Sequence, residues 1–364
     1  LTPHRHHLDK LVLLDRCDSV LHSPHLDHTA LKYVYVREII TEINALPILK
    51  QMVKDFGITM VLDMTDCDSL PILAAADKLG INYLNCSINA DHVTIRTFTD
   101  ISRYSREFNN GTHLLSLGMN PGIMNHMIMH GISAYGIPQE IVQIEFDSGQ
   151  PKHTSANPFI TWSRRQFLEE AVSEPSGYCK NEGVFHQSSH PPIHAPVETE
   201  QYLAAIKKMD SYPLGIVVPH EEIIFMAHRF KVPSRFIYAI HPNSFEKLKE
   251  LYDKNGTVKE NELDYIENNS CPLNGSDLIG VWLRYPDKSI CQYCEMEHEK
   301  IRGANATQYM VAIGVIVGLR EFITNPIRHN GVYHVHDLHN GRFMDWVAKY
   351  LAIVTIEVPS SRQV

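Results

Sequence analysis

The chain has 364 residues, 44% apolar and 21% charged, with a formal charge of −9. That length can bury two domain cores. The acidic balance speaks against nucleic acid, which needs clustered Lys and Arg, and no apolar run approaches the roughly 20 residues that cross a bilayer, so no membrane partner is expected. The seven cysteines, Cys17, Cys67, Cys86, Cys179, Cys271, Cys291 and Cys294, are odd in number and scattered, which fits reduced thiols. LTPHRHHLDK is not an apolar leader, so a cytoplasmic location is expected.

In chain order, KLVLLD (10–15) and TMVLDMT (59–65) read as buried strands, with a helix around ALPILKQMVKDFG between them. SLPILAAADKLG is a helix ending at a glycine cap. INYLNCS (81–87) and HLLSLG (113–118) are further strands, and PGIMNHMIMHGISAYG is a helix opening after Pro121. Strands alternating with helices indicate a parallel α/β sheet.

Beyond about residue 138 the style changes. EIVQIEF (140–146), YPLGIVV (212–218), SRFIYAIH (234–241) and DLIGVWLRY (277–285) read as strands with few helical crossovers, hence a mixed or antiparallel sheet. Residues 174–200 and 253–276 read as irregular loops, and NATQYMVAIGVIVGLREFI (305–323) as a strongly apolar helix. The expected fold class is therefore α/β: a Rossmann-like parallel-sheet domain with a second α+β domain built on a mixed sheet. The boundaries expected are 1–137, completed by a helix at 303–325, then 138–302, then a C-terminal extension at 326–364.

Asp15 ends its strand where dinucleotide folds place an acid on the adenosine ribose hydroxyls. The glycine-rich loop G-x-G-x-x-G should precede it by roughly 20 residues, which falls upstream of Leu1; the N-terminus reads as truncated. Gly118-Met119-Asn120-Pro121-Gly122 joins a strand to a helix and suits a ligand-facing turn. Cys291-x-x-Cys294 with His298 has zinc-like spacing, but no second pair of ligands, and KSICQYCEMEHE alternates like a strand; no metal is expected. Trp162 with Glu169 and Glu170, and His220-Glu221-Glu222 at a strand end, are candidate cation sites, each with an ordinary packing explanation beside it.

The order of TDCDSLPI (65–72), MNPG (119–122), VQIEFD (142–147), TWS (161–163), PHEE (219–222), YAIHP (238–242), SDLIGV (276–281) and NAT (305–307) resembles the homospermidine synthases of the saccharopine-dehydrogenase-like superfamily. The likeness spans nearly the whole chain. It implies NAD as a recycled cofactor and two putrescines, or putrescine and spermidine, joined with release of ammonia. It also implies a homodimer through the second sheet. It assigns Asp15, Thr65, Asp66, Cys86, Asn120 and Pro121 to the cofactor. Asn120, Glu145, Trp162, Glu170, His220, Glu222 and Asp277 fall to catalysis and amine binding.

Two features depart from the pattern. Arg164 and Arg165 follow TWS, and a cation beside a diamine site is unfavourable. On an ideal helix Glu169, rather than Glu170, would share the face of Trp162. An oxidoreductase of the saccharopine- or carboxyspermidine-dehydrogenase type, with an arginine clamping a carboxylate, is the alternative, and a non-catalytic binding or dimerisation module is a third reading.

Overall fold

The computed structural model describes residues 10–18, 21, 32–89, 105–152, 157–180, 184–265, 273–338 and 342–359. Cys271 and the N-terminal residues 1–9 lie outside them. The chain forms two compact units, residues 1–118 with 314–339, and residues 119–313 with 340–364.

The first unit has the expected parallel architecture. Four parallel strands run in the order Gly331–His334, Thr112–Leu115, Asn82–Asn85, Met60–Asp63. Leu11–Asp15 pairs in parallel with Tyr33–Arg37, a strand not anticipated from the sequence, rather than with those four. The helix Ala45–Phe56 buries Ala45, Leu49 and Met52 on one stripe and stops at Gly57, whose φ of 65° suits a residue without Cβ. In Ser69–Lys78 the Asp68 carboxylate caps the first turn by accepting from Leu70 N at 3.0 Å.

The helix Ala306–Thr324 is long and apolar enough to cross a membrane by length and composition, yet 61% of its most apolar stretch is buried within the protein. Its glycines explain how it packs. A Cβ on Gly314 would stand 2.0 Å from the Gly118 carbonyl oxygen, and one on Gly318 would stand 2.3 Å from Leu117 Cδ2. The helix therefore lies directly on the backbone after strand Thr112–Leu115. Gly314→Ala is expected to cost about 1–3 kcal/mol, because backbone cannot step aside as a flexible side chain can. A thermal melt would check this, and an unchanged midpoint would contradict the close packing.

The second unit holds a nine-stranded mixed sheet. Its order is Val197–Glu198, Leu214–Val218, Ser234–Ile240, Glu140–Asp147, Ser276–Arg284, Lys288–Glu297, Val354–Pro359, with the hairpin Gly177–Cys179/Phe185–Gln187 attached at Ser234. Ser234–Ile240 and Glu140–Asp147 are parallel, and the other pairs are antiparallel. Its core packs Val142, Ile144, Phe146 and Trp282 against Tyr202 and Leu203.

Several expectations need correction. The helix Ile123–Tyr135 belongs to the second unit, so the division falls at residue 119 rather than 138. The extension 326–364 is not a separate piece, because Gly331–His334 joins the parallel sheet and Val354–Pro359 the mixed one. Residues 174–200 contain a hairpin, and the helices Glu221–Phe230 and Pro242–Asn255 follow strands thought to lack them.

Candidate active site

Register gathers the acids. Asp147 stands directly opposite Asp277 across an antiparallel pair. Glu145, two residues earlier on the same strand, shares their face, and Tyr238 neighbours Glu145 on the parallel side. Glu145 is 4% exposed, Asp147 3% and Asp277 0%, a density of buried negative charge that cannot all persist without cations or protons.

The three carboxylates differ in their partners. Asp147 accepts from Gly149 N at 2.9 Å, from His298 Nε2 at 3.3 Å and from Thr161 Oγ1. Asn120 Nδ2 donates to Glu145 Oε2. Thr307 Oγ1 donates to Asp277 Oδ2 at 2.6 Å, while Asp277 Oδ1 is buried with no hydrogen-bond partner. Burial, then the Asp147 charge, pushes Glu145 up to about 8, against the Asn120 amide. Burial, then Glu145 and Asp147, holds Asp277 well above the usual carboxylate range.

A second group faces Glu145. His220, the residue before the helix Glu221–Phe230, points Nδ1 at Glu222 Oε2 (3.1 Å) and Nε2 at Glu170 Oε2 (3.3 Å), and stacks on Phe236 at 4.5 Å. Burial works against the imidazolium, but the Glu222 and Glu170 carboxylates outweigh it and raise His220 well above its ordinary value. Glu222 is 0% exposed and its Oε1 has no partner. The charge of His220 favours ionised Glu145, and that of Glu170 opposes it. Half-buried Trp162 is oriented by Nε1 donating to the Tyr238 hydroxyl at 2.9 Å and by edge contacts with Phe167 and Tyr238.

The ideal-helix expectation for Glu169 is overturned. Arg164–Leu168 is α-helical, but Glu169–Ser173 continues as a π-helix, whose wider turn shifts the side chains that follow. Glu170 therefore reaches His220, while Glu169 pairs with Arg165 at 3.0 Å. Arg164 is also engaged away from the acids, with Glu260 at 3.6 Å, the Leu263 carbonyl and the Tyr265 ring. Both arginines are held here by carboxylates of the chain itself, Glu260 and Glu169.

Of the residues assigned to a cofactor, Asp15, Thr65, Asp66 and Cys86 lie in the first unit, following or ending parallel strands at their carboxyl ends. Asp15 Oδ1 accepts from Cys17 N at 3.0 Å, which leaves Oδ2 open. Thr65 Oγ1 donates to Asp63 at 2.8 Å and its carbonyl accepts from Asn89. At the next strand end, Ser116 sits at φ 68° with Oγ buried and unpartnered, a polar atom at a ligand-facing edge. Asn120 and Pro121, joined by a cis peptide, belong to the second unit, where Asn120 serves Glu145.

This arrangement can be set beside known structures. Homospermidine synthase from Legionella pneumophila, solved in complex with NAD, superposes with a TM-score of 0.75 at 14% identity, covering 96% of this chain and 91% of that one. The two chains share a fold. Saccharopine dehydrogenase (L-Glu forming) from Saccharomyces cerevisiae, in its apo form, superposes with a TM-score of 0.57 at 11% identity, covering 96% and 94%. No family model and no curated protein matches the sequence. The shared fold confirms the expected class, a Rossmann-like parallel sheet with a second, mixed-sheet unit.

Cys291 and Cys294 lie in the strand Lys288–Glu297 and point to opposite faces. Burial raises both thiols, Cys294 to about 12. His298 is already committed to Asp147 and to the Ala306 amide. His220, Glu221 and Glu222 bring possible ligand atoms within 4.8 Å of one another, and both ring nitrogens of His220 face carboxylates that raise its proton affinity. Sequence reasoning did not assign site roles to Asp147, Thr161, Tyr238, His298, Asn305 or Thr307. Asp147, Thr161, Tyr238, Asn305 and Thr307 all stand inside the matched motifs VQIEFD, TWS, YAIHP and NAT, which was the available signal.

Proposed function

We propose that the chain is an NAD-dependent enzyme that condenses two putrescines into homospermidine with release of ammonia. The observation that carries this is that two buried carboxylate oxygens, Glu222 Oε1 and Asp277 Oδ1, have no hydrogen-bond partner among the described residues. Burying anions without partners is costly. A diammonium ligand supplies the missing donors. The similarity in fold to a homospermidine synthase supports the same reading.

Asp15, with Oδ2 open, would receive the ribose hydroxyls of NAD, and the strand-end residues Thr65, Asp66, Cys86 and Ser116 would line the path of the dinucleotide. When bound, NAD supplies a hydride acceptor that returns the hydride later in the same turnover, so the net reaction is a transfer. The protein's own part is binding and proton traffic. Glu222, Glu170 and the imidazolium of His220 form a fixed charge pattern, and the indole of Trp162 adds an attractive face for an alkylammonium. An amine must lose a proton before it attacks. Glu145, whose proton affinity lies near neutrality and whose carboxyl is held by Asn120, is the group suited to take and return that proton.

The test is the full-length protein with NAD and putrescine, with products read by mass spectrometry. Homospermidine and one equivalent of ammonia are expected. No new amine, together with turnover of an amino acid and a keto acid, would replace this reading by the dehydrogenase one. A related expectation concerns the cofactor. A 2′-phosphate would meet the Asp15 carboxylate, so NAD should bind about tenfold or more tightly than NADP; equal affinities in titration calorimetry would contradict that role for Asp15.

A further inference from the structure

Among the acids of the second unit, Asp147 stands apart by its surroundings. Its two oxygens receive three donors, Gly149 N, His298 Nε2 and Thr161 Oγ1, and a carboxylate offers about four lone-pair sites. The donor assignment is fixed by geometry. His298 Nδ1 accepts from Ala306 N at 3.1 Å, so its hydrogen must be on Nε2, aimed at Asp147. Ala306 opens the helix Ala306–Thr324, and its amide is one of the donors a helix start leaves free. His298 is 2% exposed. Gly149 permits this approach, since a Cβ there would lie 2.8 Å from His298 Nε2 and 2.9 Å from Asp147 Oδ1.

The same bonds tie together segments far apart in sequence. Thr161 precedes Trp162, and its carbonyl accepts from Asn305 Nδ2 at 2.6 Å. Thr307, the second residue of the helix, donates to Asp277 and lies 3.4 Å from Thr161 Oγ1. Asp147 therefore sits at the hub of a network whose outer members hold Trp162 and Asp277 in place.

We propose that Asp147, anchored by His298 and Thr161, is a positioning residue: it gives nothing to a ligand, and its carboxylate, on the face of Glu145 and opposite Asp277, favours a shared proton on that pair until a cation arrives. The charge argument follows from register. Asp147 shares a face with Glu145 and stands opposite Asp277, so its fixed charge acts on both. The other titratable groups around them act in known directions. His220 favours ionised Glu145, Glu170 opposes it, and Tyr238 is a neutral, buried phenol whose own ionisation the acids suppress. Cys294, a neutral buried thiol, senses Asp277, and His241, next to the residue Ile240 that pairs with Asp147, senses Asp147. A cation entering the site displaces the shared proton, so ligand uptake and proton release become one event. This depends on the diamine reading only for the identity of the cation.

The test reads the carboxyls directly. In protein labelled with 13C at the Asp and Glu carboxyls, one resonance, assigned by its loss in Glu145→Gln, should titrate near 8. In Asp147→Asn that midpoint should fall by about one pH unit or more, because a like charge has been removed. Thr161→Val, which deletes one donor and leaves the shape, should move it the same way by less, and Thr161→Ser should restore the wild-type curve. Thr161→Val decides the matter should Asp147→Asn not fold. An unmoved Glu145 midpoint in a folded variant, or Asp147 itself titrating near neutrality, would overturn the proposal. Calorimetry with putrescine separates the two ideas: absence of binding to wild-type protein defeats the diamine reading, while the carboxyl titration still decides the role of Asp147.

Discussion

Glutamine in place of Glu170 or Glu222 is expected to lower diamine turnover by about thirtyfold or more, while glutamine in place of Glu169 leaves it within about twofold. Glu222 is fully buried, with one oxygen on His220 and the other unpartnered. Glu170 holds the opposite nitrogen of the same ring. Removing either charge leaves a buried imidazolium and an incoming ammonium short of one anion. Such losses cost about 2–5 kcal/mol, which is roughly thirtyfold to several thousandfold. Glu169 differs by one residue but is paired with Arg165 near the surface, and such pairs contribute little. Trp162→Ala should cost about thirtyfold through loss of the aromatic face. Steady-state kinetics with putrescine, beside thermal melts, would check the series. Equal effects at 169 and 170 would mean that the π-turn does not set which acid faces the site.

That contrast also marks where sequence ceases to be readable. Long apolar runs such as VQIEF and DLIGVW announce their strands because both faces are buried, and LVLLD is legible though partly exposed because its apolar residues are consecutive. Tyr33–Arg37 and Val354–Pro359 are not, since half-exposed strands carry mixed patterns. The π-turn at Glu169–Ser173 left no composition signal, as nothing in EEAVS distinguishes it from an α-turn. His220-Glu221-Glu222 reads as the end of the strand YPLGIVV, but Glu221 and Glu222 open a helix, whose first turn favours acids.

Single site residues fared differently. Glu145, Glu170, Glu222, Asp277, His220 and Trp162 follow from motif order; all lie in the second unit, with His220 between Glu170 and Glu222 and Asp277 on the strand beside Glu145. Asp147 was overlooked although it lies two residues from Glu145. Its significance depends on His298, which is 151 positions away, and on the register that sets Asp277 opposite it. Pairing of that range follows from topology, and no spacing rule along the chain contains it.

The ligand-free protein should lose stability as pH rises from about 5 to about 8, and Glu145→Gln should abolish much of that loss. The ordinary value for a glutamate is 4.5, and burial, followed by the Asp147 charge, lifts Glu145 to about 8. Between those values the folded state holds a proton that the unfolded chain has released. Folding is then coupled to proton uptake, and each rise in pH favours the unfolded state. The contribution is complete below 4.5 and is lost as pH passes through 8. Linkage alone would allow about 5 kcal/mol. Proton sharing with Asp277 and entry of water reduce this, so about 2–3 kcal/mol is expected, or on the order of 5 °C in Tm. Glutamine keeps the shape, still accepts from Asn120 Nδ2 and cannot ionise. At pH 5 the variant and wild type should melt together; at pH 9 the variant should melt higher. Saturating putrescine should reverse the order at pH 9, because it stabilises the ionised wild-type site and finds one anion fewer in the variant. Parallel melting curves across this range, without ligand, would show that Glu145 is already ionised at pH 5 and that the acidic unit is compensated by some other means.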